Sequence, residues 1–179
     1  MLNIVLTLIP LMMITIACPI VSTYSSKKKA KLLIWLALAV YIIGNMYITI
    51  LSRSVNKNRY IELRPLLVYT QLFVSQLSPP STQMGLLAIL RDETLLIWGV
   101  ILNILLYYPL GYLLPILFPR LKPKHVILIG CLCSIATEAI QYLFKMGWCE
   151  MDDVIHNTLG TAIGVWVWNL QSKRLNKIK

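Results

Sequence analysis

The sequence predicts an all-α integral membrane protein, a bundle of about five transmembrane helices with an extracytoplasmic amphipathic or re-entrant segment between spans two and three. Three observations carry this. The 179 residues are 58% hydrophobic, with a mean hydropathy of +0.70. Only 13% are charged, about half the share in an ordinary soluble domain. The apolar residues gather in runs near the ~20 residues a helix needs to cross the hydrocarbon core.

Those runs are roughly 2–23, 32–51, 95–117, 126–144 and 154–170, within a single domain over 1–179. The first has no basic residue ahead of it, so a retained helix is expected rather than a cleaved signal peptide. Pro10, Pro109 and Pro115 fall inside spans, where neighbouring helices can satisfy the freed carbonyls. The fifth run is the shortest and carries Asn157. In the connection over 52–94, Leu66, Tyr69, Phe73 and Leu77 recur at helical spacing among Gln71, Ser75 and Gln76. An amphipathic helix lying on the membrane is expected there, ended by Pro79-Pro80.

Charge sets the expected orientation. The loop SSKKKAK, the loop with Arg120, Lys122 and Lys124, and the tail hold eleven of the seventeen Lys and Arg residues. All three fall on one side, which is then cytoplasmic. Glu62, Asp92, Glu93, Glu150, Asp152 and Asp153 fall opposite. The N-terminus is expected outside and the C-terminus inside. Much of the net +10 charge is thus a topology signal with contact to anionic lipid, and a nucleic-acid partner is not expected. Cys18, Cys131 and Cys133 lie in apolar runs and Cys149 in a polar loop, which is no disulfide framework and no metal spacing.

Polar residues inside spans are costly and mark function. Glu138 sits six residues from the outer end of the fourth span, on one face with Ser134 and Gln141. Asn103, Asn157, Asn45 and Thr49 also fall in outer halves, and Arg53 ends the second span. The expected binding cavity is therefore Arg53, Asn103, Glu138, Gln141, Asp152, Asp153 and Asn157. Glu138 and Asp153 are its candidate catalytic residues. Arg53 either pairs with Glu138 or snorkels to headgroups. Asp152 and Asp153 suit the N-terminus of the fifth helix as capping groups. Gly160 and Gly164 form a GxxxG pair for close helix packing. Glu150, Asp152 and His156 are weak candidates for metal ligands; a histidine near acids more often simply titrates.

These residues resemble the VanZ-like family. Asn103-Ile104-Leu105-Leu106-Tyr107-Tyr108-Pro109-Leu110-Gly111 is similar to its N-x-x-x-F-x-P-x-G segment. Ser134 through Gln141 resembles S-x-x-x-E-x-x-Q, and Asp152 through Gly160 resembles D-D-x-x-x-N-T-x-G. Leu51-Ser52-Arg53 looks like the Leu-Ser-Arg that closes the early helix, and Leu63-Arg64-Pro65 like part of N-L-x-P-F. The resemblance covers about 50–168. Glu62, Leu66 and Met146 stand where the family has Asn, Phe and, in many members, Arg, which leaves Lys145 as the neighbouring cation. The family's founding member is associated with low-level resistance to teicoplanin-type glycopeptides. The resemblance thus implies a bacterial cell-membrane protein that lowers sensitivity to lipoglycopeptides at the outer leaflet. It would act on the drug, its lipid-linked cell-wall precursor or the envelope, with membrane lipids as partners.

The second hypothesis is a membrane hydrolase or transferase acting on a polyprenyl-phosphate or glycolipid headgroup. Glu138 would be its acid or base, and Asp152 and Asp153 would hold a divalent cation. A transporter is disfavoured, since no internal repeat is visible.

Overall fold

The computed structural model describes residues 27–77 and 83–178, together with Ala17. Apart from Ala17, the expected first span 2–23 lies outside the described residues, as does Pro79-Pro80. The described chain is mostly helical. Its elements in order are α1 (Lys27–Met46), a π-turn (Tyr47–Leu51), β1 (Tyr60–Glu62) and α2 (Leu67–Leu77). Then come α3 (Gln83–Leu117), α4 (Pro123–Phe144), β2 (Trp148–Glu150) and α5 (Met151–Ile178).

Helices α1, α3 and α4 are long and apolar enough to cross a membrane. The 22 residues of α4 rise about 33 Å, enough to cover the hydrocarbon core. In each of the three, no more than half of the apolar stretch is buried inside the protein. Leu32, Leu36 and Ile43 of α1 and Leu128, Leu132 and Ile135 of α4 face outward. Apolar faces of this extent are stable in lipid and unfavourable in water. Helix α5 covers the fifth expected span and is 28 residues long, but it is not among the three helices apolar enough to cross. His156, Asn157, Asn169 and Gln171 dilute its apolar content.

Helices α3 and α5 pack most extensively, along a seam of small residues. A Cβ at Gly160 would overlap the Ile104 carbonyl, and one at Gly164 the Tyr108 carbonyl. From the other side, a Cβ at Gly111 would overlap the Thr161 carbonyl. The two backbones are in direct contact, which only glycine allows. Around this seam Tyr107, Leu110 and Leu113 of α3, Val165 of α5, Val126 of α4 and Ile34, Leu38 and Tyr41 of α1 form the core.

The ends of the bundle differ in charge. Trp35 of α1 meets Phe118 edge to face at 5.6 Å, and the Tyr112 hydroxyl donates to Gln171 at 2.6 Å. These contacts bring the lysine-rich ends of α1, α3, α4 and α5 to one end of the bundle. The opposite end carries the acidic loops. There β1 and β2 pair in parallel, Tyr60 opposite Trp148 and Glu62 opposite Glu150, with the two rings stacked at 5.0 Å. Neither this pairing nor the start of α3 at Gln83, twelve residues before the third expected span, was legible in the sequence.

Candidate functional site

The site is built where α1 ends. Its last turn widens to a π-turn, with the Ser52 amide donating to the Tyr47 carbonyl at 2.8 Å. Two carbonyls of the closing turn take side-chain donors. The Ser52 hydroxyl donates to Ile48, and Gln141 Nε2 from α4 donates to Thr49 at 2.9 Å. Satisfied ends of this kind let a helix stop at a fixed point inside a packed bundle. Arg53 follows directly. Its guanidinium lies over Gly147, where a Cβ would overlap Nη1. Gly147 (φ 116°) follows Lys145, which closes α4 in the left-handed region (φ 59°).

Arg53 opens onto a cavity of about 380 Å³. Thr49, Ser52, Asn103 and Asp153 supply its other polar lining, and Ile48, Leu102 and Leu106 its apolar wall. Asn103 Nδ2 donates to Asp153 Oδ1 at 2.6 Å, tying α3 to the first turn of α5. Of the seven residues expected to share a cavity, Arg53, Asn103 and Asp153 line this one.

The other four sit beside or behind it. Glu138 is buried, and its Oε2 accepts the Glu150 amide at 2.9 Å, holding β2 against α4. It is within electrostatic reach of Asp153, Arg53 and Glu150, without a direct ion pair to Arg53 among the described residues. Gln141 anchors the π-turn, and Asn157 Nδ2 donates to Ser134 at 2.8 Å. Among the described residues, Gln141 Oε1 and Asn157 Oδ1 are buried without a partner. Asp152 points away from the cavity and caps α2. Its Oδ1 accepts the Leu66 amide at 2.5 Å and its Oδ2 the Val68 amide at 2.9 Å. His156 meets the Tyr69 hydroxyl at 3.0 Å through Nε2. The amphipathic helix is therefore pinned from α5, with Phe73 and Val74 left exposed.

The weak metal candidates do not fit an ion as placed. Asp152 has both oxygens on amides, His156 is on Tyr69, and among the described residues no group of three His, Cys, Asp or Glu could hold a metal. Lys145 does not stand in for a cavity cation, since its ammonium donates to the Lys57 carbonyl at 3.3 Å. Glu62 pairs with Arg64 through two side-chain hydrogen bonds, which hold its carboxyl down at about 2. Burial, reinforced by the Asp153 charge and opposed by Arg53, pushes the Glu150 carboxyl up to about 7. Gly99 and Gly147 are site residues that the sequence did not mark. Gly99 is exposed within the cavity lining, and among the described residues nothing lies within 4 Å of a Cβ placed there. Its position in an apolar helix carries no sign of a cavity.

The family profile described as VanZ/LLP1 matches residues 4–172, nearly the whole chain. The chain belongs to the VanZ/LLP1 family. The expected likeness over about 50–168 thus widens to take in α1 and all but the last turns of α5. Protein VanZ of Enterococcus faecium is 32% identical over 79 residues, 43% of this chain and 48% of that protein. The match spans about half the length of that curated relative. No solved structure matches. For this VanZ/LLP1 member, the Asn103, Ser134–Gln141 and Asp152–Gly160 motifs lie on three different elements. All three converge around Arg53 and the closing turn of α1.

Proposed function

We propose that the protein is a multi-pass protein of the bacterial cell membrane that lowers sensitivity to lipid-tailed glycopeptide antibiotics. In this reading α1, α3, α4 and α5 and the apolar run over 2–23 all cross the bilayer, the acidic end faces outside, and the C-terminus is cytoplasmic. The charge asymmetry of the loops supports that orientation. The observation that carries the functional reading is the cavity at the acidic end, where charged side chains adjoin an apolar wall, a lining that suits the headgroup and first chain atoms of a lipid. A drug anchored by a lipid tail, or its lipid-linked precursor target, meets such a cavity at high local concentration, and an untailed drug does not. The resemblance supplies the drug class.

Expression in a susceptible Gram-positive host tests this. Tolerance to a teicoplanin-type drug should rise several-fold while tolerance to vancomycin moves little. No change toward either drug at verified expression would end the resistance reading for this chain.

A further inference from the structure

We infer that the cavity takes a zwitterionic headgroup, an ammonium joined to a phosphate, as carried by an ethanolamine phospholipid. The inference rests on the reading of the cavity as a lipid-facing binding site and names its ligand class. Two opposite charges line the same space. The Arg53 guanidinium, five N–H donors in a planar fork, makes no hydrogen bond among the described residues, and only its backbone amide is engaged. Asp153 receives Asn103 on one oxygen, and its other oxygen has no hydrogen-bond partner among the described residues. Arg53 and Asp153 do not form a direct ion pair there. Each charge is thus held in place with capacity to spare. Gly147 seats the guanidinium, and Asn103 orients the carboxylate.

The surrounding charge separates ligand classes. Arg53 is within electrostatic reach of Asp153, Glu138 and Glu150. A purely anionic headgroup would gain Arg53 but leave the Asp153 carboxylate in the same lining unmatched and repelling it. A headgroup with an added ammonium meets Arg53 through its phosphate and Asp153 through its amine, so both ends are matched. Ile48, Leu102 and Leu106 extend the lining with an apolar wall, which suits a glycerol backbone and the start of acyl chains better than a free soluble zwitterion. The volume, about 380 Å³, lies at the lower end of ordinary small-molecule sites.

The test is lipid binding to the purified full chain in detergent, read by native mass spectrometry with phosphatidylethanolamine and phosphatidylglycerol titrated separately. Phosphatidylethanolamine should bind about tenfold tighter. Asp153→Asn should erase that preference. Gly99→Phe, placed where a side chain meets open space, should fill the cavity and cost about tenfold in binding with the melting temperature unchanged. Equal or tighter binding of phosphatidylglycerol would overturn the inference, and so would full binding by Gly99→Phe. Competition by soluble phosphoethanolamine at matching concentration would overturn the lipid as the source of the headgroup. Because binding is measured without the drug, loss of drug tolerance and loss of lipid preference are separate results.

Discussion

Gly160→Leu is expected to lower stability more than any substitution in the cavity lining. A Cβ at position 160 would overlap the main-chain carbonyl of Ile104, and backbone has no rotamer through which to yield. The helices must move apart, and the neighbouring contacts at Gly164 and Gly111 open with them. Overpacking a tight interface costs about 3 kcal/mol, and a seam of backbone contacts falls at the upper end of that range. For a chain of this size the melting temperature should fall by about 6–12 °C. Gly99→Leu is the matched control, since its side chain enters open space and should leave the melt nearly unchanged. A Gly160→Leu melt within about 2 °C of the wild type would mean that α3 and α5 can part at little cost.

The second large effect belongs to Glu138. Its Oε2 accepts the Glu150 amide and so holds β2, and through β2 the loop carrying β1, over the end of α4. Glu138→Leu leaves that amide without its acceptor in a partly buried position, at about 1–3 kcal/mol. It also releases the segment containing Gly147, on which Arg53 rests. Drug tolerance is expected to be lost. Glu138→Gln keeps an oxygen acceptor of the same reach and should keep most of the tolerance. A folded Glu138→Gln variant that loses all tolerance would show that the charge or proton of Glu138 is required. Glu138 would then act through its charge and not by organising β2.

Both effects depend on features of unequal visibility in the sequence. The GxxxG spacing of Gly160 and Gly164 pointed to close packing but did not name the partner, which is α3 rather than a second copy. Runs of apolar residues placed α1, α3 and α4, because a span announces itself by length and hydropathy alone. Helix α2 was legible from the spacing of Tyr69, Phe73 and Leu77, but Leu66, the first residue of that pattern, stands before the helix in the left-handed region (φ 61°). The cap of α2 was not legible, since Asp152 lies more than eighty residues away and its expected role was at the start of its own helix. The β1–β2 pair escaped notice because three residues are too few to establish an alternation. The π-turn depends on Gln141 of another helix meeting the Thr49 carbonyl, which no local pattern reveals. Polar residues in the outer halves of the expected spans share a depth. Depth does not give direction, and so Glu138, Gln141, Asn157 and Asp152 were grouped with a cavity they do not line.

The end of the bundle carrying Arg53, Asp153 and Glu138 is expected to face outside the cell. Cys149 lies in that region, but it is half-buried, and burial pushes its thiol up, which slows labelling. An exposed loop position reports more cleanly. In a chain with its native cysteines replaced, Asn58→Cys should react with an impermeant maleimide on intact cells. Lys124→Cys, exposed in the first turn of α4 beside the lysine-rich loop, should react only after the cells are opened. Labelling of Lys124→Cys and not Asn58→Cys on intact cells would contradict the account and place the cavity in the cytosol.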